Sequence, residues 1–451
     1  MVLEGNLYKG LLILSLPIIF NNFMMTLYNL VDSYWVGKIS NTDLEVGAVG
    51  GVFPVTHMII AFGMGIYVTG VALMSQNIGA DNKKQANFIA SQSFGFAMML
   101  GIVMMIGGLF LIPNIVGGMM GFKGETYQLG VDYLSILFFE IPFIFGLLIF
   151  SGMRQAYGDT ITPVIFTVGS VILNIILDPI FIINMDMGVK GAAFATVLSK
   201  AVIVPFWLFI AFFDKKSIHL NLKDMLPDPK TIKKIVKIAI PASFGQSINA
   251  AGFVVLQVFV YGYGAATLSA FTITNRINSL AMMPAMGVGS ALAFYIGQNI
   301  GNQNYERARK AFRACITMTI GFGLFGMIFM LMDSTGDFMI KLFLKEEETI
   351  HLAGYFITFV AFNIPLMGIF QSLMGVFQGS GKTGYGFILT VSRLWVVRIP
   401  MIYILQRYTD IGSITLYIAM ITSNVIIITI GFILYYKGDW EKRIISTDRQ
   451  I

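Results

Sequence analysis

Charges are so sparse along this chain that long apolar stretches separate them. Many of these stretches exceed the roughly 20 residues that a helix needs to cross the hydrocarbon core of a bilayer. Only 12% of the 451 residues are charged and 56% are hydrophobic, whereas a soluble domain carries about 25% charged residues. A water-facing particle cannot be covered with so little polar surface, and folding in lipid removes that requirement. The chain therefore reads as an all-α polytopic membrane protein.

Apolar runs between polar clusters predict twelve spans. The first six fall at roughly 10–36, 45–78, 88–116, 130–156, 160–185 and 190–213. The second six fall at roughly 235–261, 267–299, 310–334, 351–379, 384–406 and 412–437. The start of the chain lacks the features of a secretory signal, because its apolar stretch far outruns a 7–15-residue signal core. Cys315 is the single cysteine, so no internal disulfide is expected. It cannot join the scattered His57, His219 and His351 in a zinc site, and no cofactor is expected.

Basic residues between the spans are lopsided. With both termini on one side, that side holds 20 Lys and Arg, including Lys215, Lys216, Lys233, Lys234, Arg443 and Arg449. The other side holds 6: Lys38, Lys123, Lys190, Lys341, Lys345 and Arg407. The positive-inside rule places both termini in the cytoplasm of a cell inner (plasma) membrane protein. The net charge of +6 is thereby a topology signal that also attracts anionic lipid. Nucleic-acid binding is the poorer reading, and the chain is expected to act as a monomer.

The segment from Asp214 to Lys234 divides the spans six and six. It implies lobes at 1–213 and 234–437, a linker at 214–233 and a tail at 438–451. Each half repeats the same landmarks: Pro17 and Pro241 early in the first helix, an identical Gln-Asn-Ile-Gly at Gln76–Gly79 and Gln298–Gly301, and Gly158-Asp159-Thr160 against Gly381-Lys382-Thr383. The offsets are 224, 222 and 223 residues. An even number of spans per repeat makes the halves parallel, related by a pseudo-twofold axis along the membrane normal, with a cleft between lobes. Such a design serves alternating access better than it serves a channel or an enzyme. Gly379–Thr383 resembles a phosphate-binding loop, but Val376 stands where the pattern requires glycine and the stretch joins two spans. With nucleotide binding set aside, an ion gradient is the expected energy source.

Ionisable residues inside spans are costly and mark function. The clearest here are Asp32, Glu140, Asp178, Lys200, Arg276, Arg393 and Arg398, and the three acids among these all lie in the first half. Asn21, Met25, Tyr28, Asn29 and Asp32 follow one helical face, a polar stripe suited to a water-filled cavity. Pro17 offers that helix a bending point. Asp178 has Asn174 one turn before it and Pro179 directly after it. Two such carboxylates can bind and release a proton, or hold a sodium ion with neighbouring Asn and Thr oxygens. Glu140, near Pro142, is open to pairing with a basic residue, and the three arginines to pairing with carbonyls, headgroups or acids. His57 reads as a packed residue.

The double six-helix repeat, Leu27-Tyr28-Asn29-Leu30-Val31-Asp32, the two Gln-Asn-Ile-Gly motifs and Asn174 to Pro179 together resemble the multidrug and toxic compound extrusion (MATE) family. The resemblance covers nearly the whole chain and implies the V-shaped fold of that superfamily. It also implies export of amphipathic, often cationic, small molecules in exchange for H+ or Na+. In the DinF-like branch the acid matching Asp32 is the main coupling residue, helped by those matching Asn174 and Asp178. Thr196, eighteen residues after Asp178, matches that branch's threonine on helix 6, and Pro17 matches its bending proline. Helices 7 and 10 lack the acids of the NorM-like branch. The rival within the superfamily is a flippase for lipid-linked sugars, kept alive by Arg276, Arg393 and Arg398. An intramembrane enzyme is disfavoured, since neither His-Glu-x-x-His nor Gly-x-Ser-x-Gly occurs.

Overall fold

The structure, a computed structural model, describes residues 2–39, 44–341, 343–344 and 346–445. Lys345 and Arg449 of the charge count lie outside the described residues. Among those described there is no strand, and twelve helices are long and apolar enough to cross a membrane. In the first half these are α1 (Leu7–Val36), α2 (Gly47–Gly79), α3 (Lys83–Met119), α4 (Gly124–Tyr157), α5 (Ile161–Asn184) and α6 (Gly188–Phe213). The second half holds α7 (Pro229–Tyr261), α8 (Ala266–Gly301), α9 (Tyr305–Leu331), α10 (Glu347–Gly379), α11 (Thr383–Tyr408) and α12 (Ile414–Lys437).

Several helices begin five or six residues before the apolar run: α3 at Lys83, α4 at Gly124, α7 at Pro229 and α9 at Tyr305. The apolar run is set by the hydrocarbon, whereas a helix extends until its backbone donors find other partners. The helix before α3 and the helix before α9 each close on the repeated Gln-Asn-Ile-Gly motif. The Asn77 side-chain amide donates to the Leu73 carbonyl at 2.8 Å, and that of Asn299 to Tyr295 at 2.8 Å. The chain then turns through Asp81 and Gln303, both at positive φ. Asn82 and Asn304 cap the next helices by accepting from Gln85 N and Arg307 N, each at 3.0 Å.

Proline punctuates the helix walls. A π segment, Ile180–Asn184, follows Pro179, another, Asn114–Met119, follows Pro113, and a third, Ser392–Arg398, precedes Pro400. Proline removes a backbone donor and crowds the carbonyl four residues earlier, so the ladder shifts register there. In α4 the ladder tightens to a 3-10 turn at Phe138–Glu140 just ahead of Pro142. By contrast α1 stays α-helical straight through Pro17.

The chain resolves into two compact units, Phe20–Ser243 and Met1–Ile19 with Phe244–Ile451. Both boundaries fall inside continuous helices, α1 and α7, two residues beyond Pro17 and Pro241. They do not fall at the polar linker. In the second unit α8, α9 and α10 pack on one another. Gly375 and Gly379 of α10 let its backbone touch that of α8, since a Cβ at either position would strike the carbonyl of Gly289 or of Ala293.

Candidate functional site

Asp32, Glu140 and Asp178 lie within the Phe20–Ser243 unit on three helices, α1, α4 and α5. Asp32, late in α1, is 4% exposed, and Asp178, near the end of α5, is fully buried. One turn before Asp178 on the same helix, the Asn174 amide donates to its Oδ1 at 2.9 Å. The Tyr28 and Thr196 hydroxyls meet at 3.1 Å, joining α1 to α6. One turn further along α6, Lys200 places its ammonium 2.5 Å from Glu140 Oε2 on α4 and 6.0 Å from the centre of the Tyr28 ring. Asp32 lies within electrostatic range of Lys200, Glu140 and Asp178.

Three oxygens of this cluster are buried and accept no hydrogen bond: Asp32 Oδ1, Asp178 Oδ2 and Asn174 Oδ1. A buried acceptor without a donor is costly, and for a carboxylate the cost is greater. Hard oxygens in this state are what a proton or a small hard cation satisfies. Among the described residues no group of three or more His, Cys, Asp or Glu is arranged to hold a metal. A sodium ion here would therefore draw on Asn and Thr oxygens as well.

The structure thus brings Asp178 and Asn174 into direct contact, does the same for Tyr28 and Thr196, and sets Asp32 among their neighbours. Glu140 is tied up by Lys200. Asn21 is half-buried with its Oδ1 unpartnered, while Met25 and Asn29 are exposed on α1. Pro17 belongs to the other compact unit. His57 is not packed as expected: it is exposed and stacks on Phe53, one turn before it on α2, with ring centres 6.0 Å apart. Sequence reasoning missed Tyr133, a buried α4 residue within range of Asp32, Glu140 and Asp178. An aromatic residue in an apolar helix carries no pattern that would mark it.

Also missed was a polar network in the second unit, on α7, α10, α11 and α12. Phe139-Glu140-Ile141-Pro142 returns 223 residues later as Phe362-Asn363-Ile364-Pro365, with the acid replaced by an amide. Lys200 has Ser423 at the same offset. Where the first half has an ion pair, the second has Asn424 donating to Asn363, and Arg398 donating to Ser423 and Asn424 at 3.0 Å each. The recurring Phe-x-Ile-Pro was the available signal.

The repeat is also what a family comparison detects. The MatE family model matches this chain twice, over residues 17–180 and again over 241–404, so that each copy opens on the proline of its first helix. The chain belongs to the MatE family. As a MatE chain it resembles the probable multidrug resistance protein YoeA of Bacillus subtilis, at 24% identity over 98% of this chain and 96% of that one. It also resembles the multidrug export protein MepA of Staphylococcus aureus, at 26% identity over 89% and 88%. Among solved structures, one of an outward-facing multidrug resistance MATE family transporter of the MOP superfamily superposes with a TM-score of 0.90. That match has 27% identity and covers 97% of this chain and 96% of the other. The MatE chain is accordingly a multi-pass membrane transporter with the MOP fold, not an enzyme.

Proposed function

We propose that this chain exports amphipathic organic cations in exchange for H+ or Na+, and that Asp32, Asp178, Asn174 and Thr196 form the coupling-ion site. The observation that carries this reading is the set of three buried, unpartnered oxygens on Asp32, Asp178 and Asn174. The names of the multidrug relatives support the export of drug-like molecules. The DinF-like assignment rests on acids in the first half without counterparts in the second: residues 222–224 beyond Asp32 and Asp178 are all apolar.

The mechanism follows from charge. Asp32 and Asp178 have no salt bridge among the described residues, so a proton or sodium ion that neutralises them stabilises the arrangement that buries them. Tyr28, Asn29, Asn21 and Met25 line the cavity, Glu140 is held by Lys200, and Pro17 gives α1 a point at which to bend. Ion and drug are coupled because each has a different affinity for the two states of the transporter. Both termini face the cytoplasm, in the plasma (inner) membrane, and the transporter works as a monomer.

Ethidium efflux from proteoliposomes under separately imposed pH and sodium gradients tests this. Efflux driven by one of the two gradients is expected. Efflux that ignores both and follows only the ethidium gradient would overturn antiport.

A further inference from the structure

The second half inverts the polarity of the first. Its six spans carry acids only at Glu306, Glu347 and Glu348, in the first two residues of α9 and α10. Yet Arg393 and Arg398 of α11 are 7% and 6% exposed. A guanidinium stays charged in a protein, and burying it without a counter-charge is expensive. Neither arginine has a carboxylate partner among the described residues.

Their neutral partners divide unequally. Arg398 is well held, donating from Nε to Ser423 and from Nη2 to Asn424 at 3.0 Å. Arg393 is not. Its Nη2 reaches Asn249 Oδ1 at 3.2 Å, its Nη1 meets only the Met367 sulfur at 3.3 Å, and its Nε is buried with no acceptor. The ring of Phe370 lies 4.8 Å below the guanidinium, a stacking surface that fixes its plane. The two arginines also act electrostatically on each other. Two buried cations in mutual range, one with donors left over, suit an oxyanion, which a guanidinium fork binds in bidentate fashion.

We propose that Arg393 and Arg398, with Asn249, form an oxyanion-binding site within the second-half unit that takes the carboxylate or phosphate of an amphipathic molecule. The site is separate from the acids of the first half and does not depend on the antiport reading. It extends the ligand range of the transporter from cations to molecules with an anionic head. Two sources share that chemistry, a membrane lipid headgroup and a free amphiphile.

The test is thermal unfolding of the full chain in phosphatidylcholine nanodiscs with dodecyl phosphate, dodecanoate or dodecyltrimethylammonium at equal concentration. The two anions are expected to raise the unfolding temperature and the cation is not. In nanodiscs containing phosphatidylglycerol, a lipid headgroup in the site would supply the stabilisation in advance and dodecyl phosphate would add nothing. A free-amphiphile site would still respond. Arg393→Gln is expected to weaken dodecyl phosphate binding at least tenfold. Asn363→Asp keeps the shape of the side chain and puts a carboxylate where the repeat has Glu140. It is expected to weaken binding by a similar factor by giving the arginines an internal counter-ion. Asp32→Asn is expected to bind dodecyl phosphate as the unmodified chain does, which separates this site from the antiport reading. Equal stabilisation by the cationic amphiphile would overturn the proposal, as would full dodecyl phosphate affinity in both Arg393→Gln and Asn363→Asp.

Discussion

Lys200 on α6 holds its ammonium 2.5 Å from the Glu140 carboxylate on α4, and this pairing leaves Asp32 and Asp178 with no salt bridge among the described residues. One of the three membrane acids of the first half is thus neutralised by the protein itself. The other two have no such partner among the described residues.

If the pair is a structural neutralisation, its two members act as a unit. Lys200→Met leaves Glu140 buried and unpaired, and the expected loss of stability is about 3 kcal/mol. Combining it with Glu140→Gln should cost clearly less than the two single losses added together. Thermal unfolding of the two singles and the double in one lipid system measures this, and strict additivity would show that the residues do not act on each other.

Asn174 contributes a neutral hydrogen bond to Asp178. Removing it with Asn174→Ala should cost about 1 kcal/mol of coupling-ion affinity, roughly a fivefold shift. Ethidium efflux should then need a larger driving gradient to reach half its maximum, with the maximum retained. A lowered maximum with an unchanged half-point would contradict this role.

The contact of α8 with α10 depends on missing side chains. Gly379→Ala puts a Cβ against the Ala293 carbonyl and should destabilise the chain by about 1–3 kcal/mol. Gly384, with open space around its Cβ position, serves as the control, and Gly384→Ala should stay within about 0.5 kcal/mol of the unmodified chain. Equal melting of the two variants would remove the close approach from the account.

Arg154, in the last turn of α4, bridges Asp214 beyond the end of α6 at 2.5 Å and Asp159 beyond the end of α4 at 2.5 Å. The hydrogen bond from Arg154 holds Asp214 below its ordinary value of 3.8. Burial pushes Asp159 the other way, but hydrogen bonds from Thr162 and Arg154 outweigh it and keep that carboxyl low as well. A depressed folded value means the unfolded chain binds the proton first on acidification. The clamp's contribution is therefore complete above 3.8 and lost as pH falls through the lower folded values. Arg154→Ala should lower stability by about 2 kcal/mol at pH 7, and the deficit should shrink below pH 3.8. A deficit independent of pH across that window would show that the clamp is not electrostatic.

The twelve spans were legible because hydrocarbon imposes a length on apolar runs, and Asp32 and Asp178 because a charge in such a run needs a reason. Helix starts such as Lys83 and Tyr305 were not legible, since they are set by caps on Asn82 and Asn304 that lie in polar sequence. The partner of Glu140 was not assignable, because Lys200 is 60 residues away and only the packing of α4 with α6 selects it from other bases. The network around Arg398 was hidden for another reason. Asn363, Asn424 and Ser423 are neutral, and neutral polar residues in membrane helices are too common to single out. Only the repeat of Phe-x-Ile-Pro ties Asn363 to Glu140.

The most direct measurement is ion release on drug binding, made with the purified chain in unbuffered detergent solution as ethidium is added, recording pH and bound radioactive sodium. The account predicts that ethidium displaces protons or sodium from the unmodified chain, and that Asp32→Asn combined with Asp178→Asn binds ethidium without releasing either. Ethidium bound by the unmodified chain with no ion released would contradict it.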